Sequence, residues 1–274
     1  MEVGGCAAHF AIATSRLGLK TRLIGLVGKD VLGDYIIEKI ERFEVENKVK
    51  RTEKEKTGIT FAINFKDGSR SLLTYRGTNS LFSLRNFGLN EIKGKVLCIG
   101  GYNLLDGLQG DVHKILSYAK KKNMLTCLEP DLKSGINCNI KELKKNLKMV
   151  DFFFPDLVEG KLITSETNKT KMVKKILGFG CKIVALKLGE KGCLIADKKN
   201  FYEIKGLKTR TINNTGAGDF FNAGFVFDYL KYRDLRKAGM FANAAATFSL
   251  TKFDEERYPS ENEVKKIMEK KYGR

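Results

Sequence analysis

The stretch "TINNTGAGDFFNAGF", beginning at Thr211, sets Gly216, Ala217 and Gly218 directly before Asp219 and follows the acid with an apolar run. Two glycines around an alanine permit backbone angles and close approaches that larger residues forbid. "FFNAGFVFDYLKY" has the length and apolar density of a helix packed on nearly every side. The segment reads as a tight turn feeding a buried helix, whose unpaired N–H groups converge on a spot suited to a phosphate. Asp219 would repel that phosphate unless it has chemistry of its own there. An acid in the first turn also caps a helix and complements its dipole, so spacing alone leaves both readings open.

Positioning such a turn requires a frame. Short apolar runs stand between helix-like segments: "RLIGLVG" from Arg22, "KVLCIGG" from Lys95, "MLTCLEP" from Met124, "MVDFFFP" from Met149 and "KIVALKLG" from Lys182. Continuous apolar strands suit a parallel sheet covered by helices on both faces, here "GDVHKILSYAKKK" and "KTKMVKKILGFG" among them. The expected fold is α/β, a wound and mostly parallel sheet flanked by helices, with ligands at the carboxyl ends of the strands. In "TGITFAINFKDGSRSLLTYRG" the apolar residues Ile59, Phe61, Ile63 and Phe65 alternate with smaller or polar ones. Lys66-Asp67-Gly68-Ser69 then turns into a second strand. That is a hairpin with one apolar face, predicted as a small antiparallel β lid within about residues 44–77. The face is too large to leave bare, so it is expected over a substrate cleft or against the lid of a second copy in a homodimer. Arg76, at the end of the second strand, would then reach a substrate phosphate or hydroxyl. A hairpin that extends the sheet edge is the plainer alternative. Without internal repeats or a Pro- or Ser-rich linker, residues 1–274 read as one domain.

Composition narrows the classes. No stretch is long and apolar enough to span a bilayer, and no signal-peptide pattern opens the chain. The six cysteines are scattered, with Cys98, Cys127 and Cys193 in apolar runs, as expected for reduced core residues of a cytoplasmic protein. Two histidines and no paired cysteines argue against structural zinc. The net charge of +18 includes basic runs such as "KVKRTEKEK" and "KELKKNLK". Glutamates interrupt them in the manner of solvated helix faces, so neither a nucleic-acid nor a membrane partner is expected. A positive field would draw anionic small molecules toward a cleft.

Taken together these motifs resemble the ribokinase/PfkB family of carbohydrate and nucleoside kinases. Its C-terminal signature, D-T-x-G-A-G-D-x-F, stands here as "NNTGAGDFF" from Asn213. Its paired glycine and following helix stand as "GGCAAHFAIATSRLG" from Gly4, continued by "LIGLVGKDVLGDY" with Gly28, Asp30 and Gly33. "FPDLVE", with Asp156 and Glu159, is similar to the N-x-x-E motif, and Leu188-Gly189-Glu190-Lys191-Gly192 to its L-G-x-x-G turn. The likeness runs in order along nearly the whole chain. It implies a ribokinase-like fold and phosphoryl transfer from ATP, with Mg²⁺, to a hydroxyl of a sugar, sugar phosphate, polyol or nucleoside. ADP as donor stays open. By the same resemblance Gly216, Ala217 and Gly218 form the anion hole and Asp219 takes the hydroxyl proton. Thr215, Gly189, Gly192 and Asn243 fall on the nucleotide side. Glu159 and Asp156 would help place Mg²⁺, and Gly4 and Gly5 would let a sugar lie close to the backbone. The physics agrees, since phosphoryl transfer chiefly needs positioning, charge neutralisation and a base aimed at the nucleophile.

Departures from the pattern bear on substrate and ion. Asn213 replaces an aspartate that helps K⁺-activated members hold their ion, which weakens the case for K⁺ dependence. Asp156 replaces an asparagine and adds charge near the metal position. His9 stands where ribokinases carry a sugar-binding Asn, and Cys6 where a Lys often lies, so a typical ribose site is not expected. Members usually carry a strand and a hydroxyl-gripping Asp some twenty residues before the paired glycines, whereas Gly4 here follows Met1, Glu2 and Val3. The expectation is an in-frame upstream extension encoding a strand with an Asp near its end, without which the chain is less stable or weakly active; robust turnover without it would mean that another residue has that role. Tyr102 and Asn103, after "LCIGG", are the first candidates. A relative that binds nucleotide or sugar without turnover is the alternative reading, and a nucleic-acid protein, supported by charge alone, is a third.

Overall fold

Along the central strands, burial alternates with a period of two. Val184, Leu186, Leu194 and Ala196 join one apolar cluster, and Ile183, Ala185, Cys193 and Ile195 join another. A sheet covered on both faces produces that division, since successive side chains point to opposite sides. The structure, a computed structural model, describes residues 1–64, 70–132 and 139–273. Its main sheet has six strands: β5 (Val96–Ile99), β6 (Leu125–Leu128), β7 (Phe152–Phe153), β8 (Ile183–Lys187), β9 (Gly192–Ala196) and β10 (Phe201–Lys205). They lie side by side in chain order. The first four are parallel, and β8, β9 and β10 pair antiparallel.

Helices α4 (Val112–Lys121), α5 (Ile140–Asn146), α6 (Leu157–Thr164) and α7 (Lys169–Gly178) cover one face through Leu116, Leu143, Ile163 and Val173. On the other lie α8 (Ala217–Tyr232), α9 (Leu235–Leu250) and α10 (Glu261–Tyr272), through Phe225, Phe241 and Val264. As the sequence implied, α8 is apolar all round: every residue from Asp219 to Asp228 is buried. The antiparallel end of the sheet was not foreseen. Gly192 enforces it, with φ at 99° and a position where a Cβ would stand 2.1 Å from the Ile204 carbonyl. Only glycine tolerates that combination.

The remaining strands form two separate sheets. β1 (Arg22–Gly28) pairs in parallel with β2 (Glu46–Thr52), and β3 (Ile59–Asn64) pairs antiparallel with β4 (Arg70–Tyr75). The run "KVKRTEKEK", read above as a solvated basic face, supplies most of β2. Its charges suit an edge strand, where they discourage pairing with other chains. The lid hairpin therefore starts at Ile59, after β2, and does not extend the main sheet. Its expected turn, Lys66-Asp67-Gly68-Ser69, and Phe65 lie outside the described residues. Opposed residues share a face, so Ile59, Phe61 and Ile63 join Leu73 and Tyr75 on one side of the hairpin. Phe61 and Leu73 are 58% and 67% exposed. Asp30 ties the lid to the body. It caps α2 (Val31–Arg42) at the Gly33 amide and accepts from the Thr57 amide and hydroxyl, at 2.7–2.8 Å in each case.

Between β1 and β5 the molecule is open. Each has a strand partner on one side alone among the described residues. The two facing edges, Leu23–Val27 and Val96–Ile99, line a cavity of about 2390 Å³ that runs on to Asp219 and up to the lid.

Candidate active site

Asp219 lies at the inner end of this cavity, in the first turn of α8. The turn is built by Gly216, whose φ of 71° is left-handed and whose missing side chain makes room for the His9 ring, 3.0 Å from where a Cβ would stand. Asp219 and Phe220 amides both donate to the Gly216 carbonyl, and Ala217 donates to Asn214 at 3.5 Å. The Gly218 amide has no acceptor among the described residues. One unsatisfied donor at a buried helix start is what an anion site requires.

The loop entering the turn is clamped. Asn213 Oδ1 accepts from the Thr215 amide at 3.0 Å. Arg257, 1% exposed, donates to the Thr215 and Ser249 carbonyls and pairs with Glu2 at 3.2 Å. Glu2 in turn accepts from the Asn213 amide nitrogen. His9 is 4% exposed and its Nδ1 lies 2.8 Å from the Tyr258 hydroxyl. Burial, with Arg257 nearby, pushes its pKa down to about 4, so the ring is neutral.

Two residues that the sequence reading missed lie behind Asp219, outside the lining of the cavity. Glu129 ends the run after β6 and Lys187 ends β8; Lys187 Nζ is 2.7 Å from Glu129 Oε1. Both sides of this pair are nearly enclosed, and a carboxylate oxygen of Glu129 lies within 4.8 Å of one of Asp219. Burial and then the Glu129 charge hold the Asp219 carboxyl well above the usual carboxylate range, while Lys187 opposes the effect of burial on Glu129 and keeps it below. Asp219 is therefore the member of the pair that keeps a proton more readily. A signal was available: each charge closes a buried apolar strand at its carboxyl end, where wound sheets bind ligands.

Other candidates divide by position. Gly4, Gly5, Arg76 and Thr215 line the cavity with His9 and Asp219. Gly5 has φ at 96° and open space where a Cβ would be. Arg76 pairs with Asp106 at 3.2 Å and donates to the Leu104 carbonyl. Tyr102 and Asn103, offered as substitutes for a missing carboxylate, are fully buried and do not line the cavity; their backbones pair with Glu129 and Pro130. Gly189, Gly192 and Asn243 lie away from it as well. Asn243 bridges the Lys205 carbonyl and the Tyr272 hydroxyl. Asp156 caps α6 at the Val158 and Glu159 amides, and Glu159 accepts from the Asp156 and Leu132 amides. Burial drives the Glu159 pKa up to about 7 despite Lys187.

These shifts carry a stability consequence. Glu159 and Asp228, raised to about 7 and about 6, contribute stability at low pH that is lost as pH rises from near 4 through those values. His9, lowered to about 4, contributes stability above its ordinary value that is lost as pH falls toward 4. A displacement of the size seen for Glu159 or His9 corresponds to about 3 kcal/mol, so the two nearly cancel between pH 4.5 and 6.5. Asp228 and Asp219 add further losses with rising pH, so in chelator-containing buffer the urea midpoint of the unaltered protein should fall over that window. His9→Asn should steepen that fall; an unchanged slope would refute the assignment.

Comparison with known proteins decides the family. A family model described as "pfkB family carbohydrate kinase" matches residues 1–260. The chain belongs to the pfkB family of carbohydrate kinases. An uncharacterised sugar kinase of Archaeoglobus fulgidus is 28% identical over 87% of this chain and 94% of its own length. A ribokinase of Haemophilus influenzae is 27% identical, over 91% of this chain and 81% of the relative. Among solved structures, the apo form of an Escherichia coli putative ribokinase II superposes with a TM-score of 0.89 at 20% identity, covering 98% of this chain and 89% of that one. This pfkB member is accordingly a phosphotransferase with an alcohol group as acceptor, and its fold is ribokinase-like. Among the described residues, no helix is long and apolar enough to cross a membrane.

Proposed function

We propose that this kinase transfers the terminal phosphoryl group of ATP to a hydroxyl of a sugar, sugar phosphate, polyol or nucleoside, with Asp219 as general base. The observation that carries the reading is the juxtaposition at the start of α8: a buried carboxyl that lines the large cavity, one residue from the unsatisfied Gly218 amide. The acceptor oxygen attacks phosphorus as its proton passes to Asp219, and the bond from phosphorus to the donor's bridging oxygen breaks. The electron pair leaves with the nucleotide. A base with a raised pKa is well matched to a hydroxyl, and the Gly216-Ala217-Gly218 turn receives the charge on the transferred group. All five of Thr215, Gly4, Gly5, His9 and Arg76 line the one cavity; in this reading Thr215 serves the donor and the other four the acceptor.

Mg²⁺ fits the residues present. Glu159 is a buried carboxylate each of whose oxygens accepts a single amide, and Asp156 adds a second charge beside it. Mg²⁺ commonly keeps several waters and takes one or two carboxylates with substrate phosphates. When bound it would draw negative charge off the donor phosphates.

A coupled assay crossing ATP and ADP with sugars, sugar phosphates, inositols and nucleosides tests the reading. Turnover with at least one acceptor is expected. Binding without turnover would favour the second reading, a ligand-binding relative. The exposed lid face bearing Phe61, Ile63 and Leu73 supports a homodimer closed through the lids. Sedimentation should give a dimer that Phe61→Ser with Leu73→Ser converts to monomer; a monomeric unaltered protein removes the idea.

A further inference from the structure

We propose that Lys187 is a catalytic residue: a cation that leaves Glu129 to ride on the transferred phosphoryl group. The proposal rests on the kinase reading above and adds to it the charge that the site otherwise lacks. The carboxyl groups of Asp219, Glu129 and Glu159 all act on this lysine, and Asp156 pairs with it through the backbone. A phosphoryl group entering such surroundings meets repulsion. The helix start offsets it by about half a charge, spread over the first turn.

Lys187 stands where a full charge is needed. Its ammonium lies 3.2 Å from where a Cβ on Gly218 would be, against the first turn of α8 and beside the unsatisfied amide. The ammonium and the Gly218 amide therefore sit side by side at the start of α8. The pair with Glu129 is 10–15% exposed on both sides. Buried pairs of this kind seldom add net stability, because desolvation consumes the Coulombic gain. Placement at the carboxyl end of β8, where wound sheets bind ligands, points to use by a ligand. The four-carbon stem lets the ammonium move while its protons stay on.

In the transfer step the new bond joins the acceptor oxygen to phosphorus, and the old bond to the donor's bridging oxygen breaks. The hydroxyl proton goes to Asp219, and the electron pair of the broken bond departs with the nucleotide. Lys187 keeps its three protons and donates to a non-bridging oxygen throughout. Glu129, released from the lysine, stays beside the Asp219 carboxyl, within 4.8 Å of it.

Lys187→Met alone strands a buried carboxylate and can fail to fold, so the test uses Lys187→Met with Glu129→Gln, compared with Glu129→Gln alone. The double variant should melt close to the single one. Its kcat should be lower by about 10²- to 10³-fold, as for loss of a donor to a developing oxyanion, with the acceptor KM little changed. Lys187→Arg should recover part of the loss. Equal kcat in the single and double variants would show that the lysine only neutralises Glu129, and would overturn the proposal. Calorimetry separates this outcome from failure of the kinase reading. If no protein turns over any acceptor, that reading falls. Lys187 is then judged by the preference for ATP over AMP, which the double variant should lose; an unchanged preference would sink it.

Discussion

Asp219→Asn is expected to lower kcat by about 10²- to 10⁴-fold, the usual contribution of a positioned general base. Asparagine keeps the shape of the side chain and can hydrogen-bond Glu129, yet it cannot accept the hydroxyl proton. Nucleotide affinity should change far less, because the anion-accepting turn is backbone and its Gly216 conformation does not depend on residue 219. Stability gives the second readout. Burial and Glu129 hold the Asp219 carboxyl well above its ordinary value, so its charged form opposes folding. Stability from this group is present at low pH and is lost as pH rises through the folded-state value. The variant should therefore equal or exceed the parent in melting temperature at pH 8 while being nearly inactive. A helix-end acid without catalytic duty predicts the reverse: near-normal turnover, and a loss of about 0.3–1 kcal/mol from the helix dipole. Near-normal turnover would remove the residue on which the mechanism chiefly rests.

Arg257→Met should be the most damaging change away from the reacting groups. The guanidinium is 1% exposed and links four segments: Glu2 at the chain start, Thr215 before the anion turn, Ser249 at the end of α9, and its own loop. Removing one partner of a buried charged network typically costs about 3–5 kcal/mol. For a chain of this size that is a fall in melting temperature on the order of 10 °C. Freed of its donor, the Thr215 carbonyl no longer fixes the approach to Gly216, so kcat should fall as well. Arg257→Lys keeps the charge but not the planar fork and should recover only part of either loss. Unchanged melting and turnover in the methionine variant would show that the clamp is not needed.

What the sequence determined by itself was carried by local patterns. The apolar runs set strands with both faces covered, the all-round apolar stretch set α8, and the alternation from Ile59 set a hairpin outside the main sheet. Gly216 before Asp219 was legible because a left-handed turn into a buried helix leaves a local mark. Asp156 and Glu159 were visible only through likeness to the N-x-x-E motif, and their amide contacts are those of a helix start.

Only the tertiary structure decided which distant residues meet. Glu129 and Lys187 are 58 positions apart and join only because β6 and β8 end at one rim of the sheet, on either side of β7. Arg257 reads as one charge among many in "FDEERYPS" until folding closes carbonyls around it. Tyr102 and Asn103 follow a strand end, as cleft residues often do, yet the backbone pairs with Glu129 and Pro130 turn them inward. Patterns of burial repeat along a chain and can be read from it. Charge pairing across a sheet depends on strand order and register, which no single segment encodes.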